Sequence, residues 1–410
     1  MSAVKQLMLK ETNLVYVLSK SALLFFFLAD GCNKFLYLLH SDFYRVSILF
    51  RSIYEVLFLG LILLFINEVR LLFLKIFLLL FALFLTGQIF LSFNVYYEYN
   101  LKENISLFNK YFFVFVIFFA IYKLQNFPDK FKNVVKLMEN IFLFNSIITI
   151  LGFIFHITLL RTYTDSDKIY RYGYSGFIPA QNEATLFFFI SLCYFYYQRF
   201  FCNIKSIKFF LVLLSCFLLG TKGIYLFLAF LLIFHFFYFS SLKSKFITLL
   251  IIITVLIGGY FYLQTEHSRI LLEYFISRKD KNGWLTMILS GRNSFISTKG
   301  SDVFSNWNIF NYFIGGQDQT KLYMEMDFID LFFFMGIIGS VIYFALYFTT
   351  LFRFNVLKPF NFFFLFSFLT LAFFGGHFFA SAVNSLYLCL VLMYFHASQN
   401  NVFDNLLKKG

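Results

Sequence analysis

Charged residues are scarce in this sequence, and the patterns by which proteins hold metals or nucleotides are missing from it. Only 13% of the 410 residues are charged and 60% are hydrophobic, which excludes an ordinary soluble domain. The five cysteines are scattered without a C-x-x-C spacing, and histidines and carboxylates form no cluster, so neither a disulfide framework, nor a metal site, nor a cofactor is predicted. Without a P-loop or a G-x-G-x-x-G fingerprint, nucleotide binding has no support either.

Apolar blocks rich in phenylalanine dominate what is present. The chain has 69 phenylalanines, and its apolar residues fall into blocks of roughly 16–25 residues, the length that a helix needs to cross about 30 Å of hydrocarbon. We expect the phenylalanines to serve as lipid-facing bulk rather than to carry function. The pattern predicts an all-α, polytopic membrane protein whose residues 1–410 form one integral membrane domain.

The blocks predict about twelve membrane-spanning helices. An even number places both chain termini on the same side of the membrane. We expect the first block to act as an uncleaved anchor. The predicted spans lie near residues 11–29, 46–66, 71–93, 109–125, 138–159, 183–199, 208–220, 223–239, 246–263, 329–350, 359–376 and 380–396.

The basic residues predict the orientation. A net charge of +13 resembles that of a nucleic-acid-binding protein, but many of these residues lie between predicted spans, where the positive-inside rule expects them in the cytoplasm. We therefore predict cytoplasmic termini, membrane lipids as surroundings and no nucleic-acid partner. The basic gaps contain Lys130, Lys132 and Lys136, then Arg199, Lys205 and Lys208, then Lys243 and Lys245, then Arg353 and Lys358.

Two of the predicted extracytoplasmic gaps are unusually long. The smaller covers residues 160–182 and the larger covers residues 264–328, which is far beyond a normal connection. The first part of the larger loop has apolar residues at helical spacing, which predicts a helix on the membrane surface. Those residues are Ile270, Leu271, Tyr274 and Phe275.

Three basic residues at the extracytoplasmic edge are candidates for binding an anion. Arg171 lies in RYGYSG, Lys222 in the tight turn GTKG and Arg292 in LSGRN. A guanidinium donates two hydrogen bonds to a phosphate and keeps its charge, so the three cations together can neutralise a diphosphate at the bilayer surface. The alternatives are a lysine that reaches the lipid headgroups and, for each arginine, a solvated charge or a surface ion pair.

Acidic residues in EMDFID are candidates for proton transfer. Glu325 precedes the tenth predicted span and is the better candidate for a general base that deprotonates a sugar hydroxyl. Asp327, which follows it, is expected to position the loop. Asp327 and Asp330 share one helix face, and either can instead cap the helix N-terminus, where the dipole favours negative charge.

Three further polar residues are candidates for a supporting role. Glu183 follows Asn182 at the start of the sixth predicted span, where a cap or an orienting group is expected. His377 follows Gly375 and Gly376 at the end of the eleventh span. It can transfer protons, although an interfacial histidine without a catalytic role is the simpler interpretation.

These motifs, in this order, resemble the O-antigen polymerase and O-antigen ligase superfamily of bacterial envelopes. The stretch from Arg171 to Ala184 resembles the family's arginine–glycine…asparagine–alanine segment, and the turn from Gly220 to Gly223 resembles its threonine–glycine–serine–arginine–glycine turn, with Lys222 in place of the arginine. The stretch from Ser290 to Asn293 resembles the glycine–arginine of the large periplasmic loop. The stretch from Gly315 to Tyr343 resembles the end of that loop and the next span.

The resemblance implies a metal-independent glycosyltransferase of GT-C-like fold in the bacterial inner membrane. It would polymerise oligosaccharide repeat units carried on undecaprenyl diphosphate, at the periplasmic face, and a chain-length regulator is a candidate partner there. In this interpretation Arg171, Lys222 and Arg292 bind the diphosphate and Glu325 and Asp327 carry the catalysis, with Asn182, Glu183 and His377 in support.

Two other functions fit the same sequence. The ligase branch of the superfamily has a histidine late in the large loop, where this chain has EMD, so the polymerase is favoured. A flippase for the lipid-linked unit would show internal repetition and charges along a central path. No repeat between the two halves is evident, and the charged candidates cluster on one side.

Overall fold

The structure is a computed structural model of the chain. It describes residues 3–39, 45–92, 101–163, 172–239, 291–316, 324–353 and 355–399, with the single residues 276, 283, 284, 286 and 289. Side chains are described from residue 11 onward, except those of residues 92 and 306.

The described residues are largely helical. Within these ranges there is no β-strand, and an isolated bridge joins Arg161 to Tyr174. Short 3₁₀ turns cover Tyr122–Asn126 and Thr158–Leu160, and a π-helical turn covers Ile296–Gly300. The α-helices are α1 (Ala3–Leu38), α2 (Val46–Leu64), α3 (Asn67–Ser92), α4 (Leu101–Ile121), α5 (Pro128–Ile154), α6 (Gln181–Phe200), α7 (Lys208–Leu218), α8 (Lys222–Tyr238), α9 (Arg292–Phe295), α10 (Ser301–Asn306), α11 (Ile309–Ile314), α12 (Asp327–Leu351), α13 (Pro359–Phe374) and α14 (Ser385–Gln399).

Six stretches of helix in the described ranges are long and apolar enough to cross a membrane. They belong to α1 to α5 and to α12, and α7, α8 and α13 are shorter apolar helices. The chain is therefore an all-α protein with the character of a membrane protein. The predicted total of twelve spans stays a prediction, and the predicted span at 246–263 lies outside the described residues, as does the surface helix predicted around Ile270.

Several helices extend beyond the apolar blocks that predicted them. Helix α4 begins at Leu101 rather than near residue 109, and α5 begins at Pro128 rather than near residue 138. The charged residues in these first turns are good helix formers, and the fixed φ angle of a proline suits the first position of a helix. The last span, predicted from residue 380, begins as α14 only at Ser385.

Helix α4 shows that many phenylalanines pack against protein rather than against lipid. Phe115 and Phe119 are completely buried. The ring of Phe115 meets those of Tyr343 and Tyr347 edge to face, with centroids 5.9 and 6.3 Å apart. The expectation that phenylalanine is lipid-facing bulk is therefore wrong for α4, because this helix runs through the middle of the bundle, where aromatic pairs fill the space between helices.

The helices alternate in direction, so the segments that contain the predicted site residues lie at one end of the bundle. The ends of α1, α3, α5, α7 and α13 lie there together with the starts of α2, α4, α6, α8, α12 and α14. We call this the site end. At the opposite end, Lys123 Nζ lies 3.0 Å from Glu11 Oε2, and the Arg353 guanidinium lies 4.8 Å from the centroid of the Tyr122 ring.

Helix α12 is interrupted at Gly336. This glycine has φ 65° and ψ −174°, which breaks the helical hydrogen bonding. Gly315 and Gly316, which follow α11, fill the break, and the Gly316 N–H donates to the Phe334 carbonyl at 3.3 Å. A Cβ added at Gly336 would lie 2.4 Å from backbone atoms of this segment, so only glycine permits so close an approach.

Candidate functional site

The two turn motifs of the sequence analysis pack directly against each other. The Tyr174 N–H donates to the Leu218 carbonyl at 2.8 Å, and the Thr162 hydroxyl donates to the Leu219 carbonyl at 2.8 Å. Gly220 has φ 75°, and a Cβ placed on it would lie 1.9 Å from the Tyr172 carbonyl oxygen. The segment after Arg171 and the GTKG turn therefore form one unit at the site end.

We expect Gly220→Ala to lower the free energy of unfolding by about 2 kcal/mol or more, because the new methyl group meets a backbone carbonyl and the φ angle disfavours alanine. Thermal unfolding of the purified protein in detergent measures this. Gly60→Ala on α2 is the control, since nothing lies within 4 Å of its added Cβ. Equal unfolding temperatures for Gly220→Ala and the unmodified protein would show that the two turns do not meet.

The loop before α6 is anchored in the bundle by polar side chains of α1 and α5. Lys34 Nζ donates to the Ser175 hydroxyl and to the Gly176 carbonyl, each at 2.8 Å. Asn145 Oδ1 accepts from the Phe177 N–H at 2.9 Å. Lys34 is not among the candidates from the sequence, because it follows the first predicted span and reads as an ordinary gap residue.

Helix α6 connects this loop to the turn before α8. The Thr185 and Thr221 hydroxyl oxygens are 2.8 Å apart, and Thr221 Oγ1 also caps α8 by accepting from the Ile224 N–H at 3.4 Å. Lys222 is the first residue of α8 and is exposed. Lys222 therefore places a positive charge at the site end.

Glu183 binds the segment that precedes α14. Its carboxylate accepts a short hydrogen bond from the Ser381 hydroxyl and a bond of 2.8 Å from Asn384 Nδ2. The N-cap of α6 is Ala180, which makes no side-chain cap. Of the two roles that the sequence offers for Glu183, the geometry corresponds to the orienting one.

A buried ion pair joins α1 to α2 near Glu183. Arg51 Nη2 donates to both carboxylate oxygens of Asp30, at 2.6 and 2.7 Å. The charges of this pair act on both Glu183 and Tyr387, so the pair belongs to the polar region of the site end. Neither residue was a candidate. The sequence does offer a signal for this pair, because Asp30 directly follows the first predicted span and Arg51 lies near the start of the second.

Arg292 and Glu325, which are distant in sequence, are in direct contact. Arg292 Nη2 donates to Glu325 Oε2 at 2.9 Å, and Nη1 donates to the Phe374 carbonyl at 2.6 Å. Arg292 Nε is buried and has no hydrogen-bond partner among the residues that the structure describes. A buried N–H without a partner costs about 1–3 kcal/mol, which a ligand oxygen would recover.

Two aspartates at the start of α12 hold the loops on either side of this contact. Asp330 accepts from the Met324 and Met326 N–H groups, at 2.8 and 3.0 Å, and so fixes the backbone on both sides of Glu325. Asp327 accepts from three consecutive N–H groups that begin at His377, at 2.7, 2.6 and 3.1 Å. The alternative of a helix cap is wrong for Asp327, because its carboxylate binds another loop.

The two acids predicted to be catalytic therefore have different surroundings. Asp327 is only 1% exposed, and three backbone donors occupy its carboxylate. The side chain of Glu325 is 52% exposed. A substrate hydroxyl can reach Glu325 but not Asp327, so the geometry suits Glu325 as a base and Asp327 as a positioning residue.

His377 lies beside the Arg292–Glu325 contact. Burial lowers the pKa of His377 to about 4, the negative charge of Glu325 partly offsets this effect, and the positive charges of Lys110 and Arg292 add to it. The imidazole is therefore neutral near pH 7. A Cβ added to Gly376 would lie 2.7 Å from the Glu325 Cα, which shows how closely this loop packs against Glu325.

Lys222 and Arg292, the two predicted cationic residues that the structure describes, lie at the same end of the bundle. Asn182 Oδ1 lies 4.0 Å from the point where a Cβ on Gly375 would be. The preceding residue, Phe374, has the carbonyl that accepts from Arg292. The start of α6 thus lies between Arg292 on one side and the turn of Lys222 on the other. Arg171 lies outside the described residues, which resume at Tyr172.

Comparison with known proteins adds no assignment. No protein-family model, curated protein or solved structure matches the chain. Among the residues that the structure describes, no group of three or more histidine, cysteine, aspartate or glutamate side chains is placed to hold a metal ion.

Proposed function

We propose that the chain is a glycosyltransferase that polymerises undecaprenyl-diphosphate-linked oligosaccharide repeat units into O-antigen or a related surface polysaccharide. The contact of Arg292 with Glu325 at the site end carries this proposal, because the turn of Lys222 lies at the same end. The reaction needs a cation that stabilises a leaving diphosphate and an acid–base group that takes a proton from a hydroxyl.

The roles of the side chains follow from the charges that change during the transfer. A hydroxyl of the incoming unit attacks the anomeric carbon of the growing chain with inversion, and the diphosphate leaves with the bonding electrons. Arg292 and Lys222, with Arg171, stabilise that diphosphate. Glu325 takes the proton of the attacking hydroxyl, while Asp327 holds the loop of His377 in place.

The proposal includes a location and an orientation. We propose a GT-C-like protein of twelve spans in the bacterial inner membrane, with cytoplasmic termini and the site end in the periplasm. It acts on its lipid-linked substrate without metal or cofactor, and a chain-length regulator is a possible partner. The charged segments at the end opposite the site support this orientation through the positive-inside rule.

The test is incubation of the purified protein with a synthetic undecaprenyl-diphosphate-linked repeat unit, without nucleotide and in the presence of EDTA. We expect a ladder of polymer on a gel. If product forms only when lipid A-core is added, the protein is the ligase. If neither product forms, and cells without the protein export no single repeat units, the flippase function replaces the proposal.

A further inference from the structure

The side chain of Arg292 is only 18% exposed, and two of its three guanidinium nitrogens already donate to protein groups. A planar guanidinium offers one edge made by Nε and Nη2 and another made by Nη1 and Nη2. Nη2 belongs to both edges, and it donates to Glu325 Oε2. Nη2 has one hydrogen on each edge, so the two edges do not exclude each other, but an anion at Arg292 competes with the Glu325 carboxylate for the charge of one guanidinium.

The two partners of Arg292 differ in their freedom to leave. Nη1 is bound by the carbonyl of Phe374, a backbone group at the end of α13. Nη2 is bound by a side chain that is 52% exposed. Within the described ranges, Nε has no hydrogen-bond partner. An anion that replaced Glu325 would meet Nη2 and also supply the partner that Nε lacks.

The backbone around Glu325 is fixed, so the exchange requires only a side-chain rotation. Asp330 binds the N–H groups of both neighbouring residues. Glu325 itself has φ 55°, a conformation that few residues other than glycine adopt, and Gly376 packs against its Cα. The loop thus keeps Glu325 at the tip of a tight turn while its carboxylate can rotate away.

We propose that the diphosphate of the lipid-linked donor displaces Glu325 from Arg292 and thereby releases this carboxylate to act as the base. This inference rests on the proposed function and adds an order to it. Before the donor binds, the Glu325 carboxylate is occupied by Arg292. After the donor binds, the diphosphate neutralises Arg292, and Glu325 is free for the acceptor hydroxyl.

The transfer balances without a further reactant. The acceptor hydroxyl oxygen bonds to the anomeric carbon, its proton passes to a Glu325 carboxylate oxygen, and the bond from that carbon to the diphosphate oxygen breaks. The bonding electrons stay on the diphosphate, which Arg292 holds. The carboxylic acid then loses its proton to water, and departure of the diphosphate lets Glu325 pair with Arg292 again.

The test measures the affinity of undecaprenyl diphosphate for the purified protein in detergent. We expect Glu325→Gln to bind it roughly two- to fivefold more tightly, the gain that corresponds to removing a partly exposed ion pair that competes with the ligand. In an Arg292→Met background, the same change should have no effect, which isolates the coupling between the two residues. Asp302→Asn is the matched control, because it removes one exposed acidic charge from the same segment.

The outcomes separate this inference from the proposed function. If the unmodified protein forms polymer and Glu325→Gln binds undecaprenyl diphosphate with equal or lower affinity, the exchange is wrong and the proposed function stands. If Asp302→Asn tightens binding as much, the gain is a general effect of charge and the exchange is also wrong. If the unmodified protein neither binds the diphosphate nor forms polymer, both proposals fail. Glu325→Ala, which also removes the carboxylate, provides the same test should Glu325→Gln not fold.

Discussion

Replacing Arg292 by alanine is expected to lower the rate of polymer formation by about 10²–10³, the cost of removing one strong donor to the charge that develops in a transition state. The reason is the position of its guanidinium, which contacts Glu325 and is fixed by the Phe374 carbonyl. Arg292→Lys should recover only part of the activity, because an ammonium keeps the charge but cannot donate two parallel hydrogen bonds as a planar guanidinium does. The length of the repeat-unit ladder in cells and the rate in vitro are the measurements.

The matched control for this experiment is Lys299→Ala. Lys299 belongs to the same segment, is exposed, and lies with its Nζ 5.2 Å from the centroid of the Phe295 ring. It should leave the ladder unchanged. A normal ladder at a normal protein level in Arg292→Ala would remove Arg292 from the mechanism, and an equal loss in Lys299→Ala would point to a general effect of charge.

Replacing Arg51 by methionine should be the most destabilising single change considered for this protein. It leaves Asp30 buried and charged without its partner, and breaking a buried ion pair costs about 3–5 kcal/mol. Thermal unfolding in detergent and the protein level in membranes measure the effect. The double variant Asp30→Leu with Arg51→Met should recover most of the stability, since both charges are then gone.

Arg70→Met on α3 is the control for this second prediction. Arg70 donates to the Leu63 carbonyl at 2.9 Å in an exposed environment, so its loss should cost no more than about 1 kcal/mol. Two results would contradict the prediction: an unfolding temperature of Arg51→Met that equals that of the unmodified protein, or a double variant that is as unstable as the single one.

Much of the candidate site could be predicted because its residues lie outside the apolar blocks. In a membrane protein, a charge at the edge of an apolar block is costly and therefore informative. Glu325 was singled out in this way, Arg292 was singled out as an arginine in a long extracytoplasmic gap, and the structure places the two in contact. Their separation in sequence did not prevent this prediction, because both residues lie in one gap that is predicted to face a single side of the membrane.

The polar contacts between helices could not be predicted in the same way. Whether Asp30 meets Arg51, or Lys34 meets Ser175, depends on the rotation of each helix about its axis. That rotation is set by packing against several neighbours at once, and a sequence with phenylalanine on every face gives little periodic signal. The break at Gly336 was hidden for a related reason, since glycine is common in membrane helices and only its φ angle reveals the interruption.

The hydrogen bonds of Lys34 constrain the order in which the bundle assembles during biosynthesis. Its acceptors on Ser175 and Gly176 come more than 140 residues later in the chain, 141 in the case of Ser175. At ribosomal rates of about 5–20 residues per second, α1 is complete roughly 7–28 s before the loop that satisfies its ammonium group exists. During that interval the amine must stay at the headgroups or in water. The first helix therefore reaches its final depth and rotation only after the loop before α6 has been made, so the bundle is completed in an order different from that of synthesis.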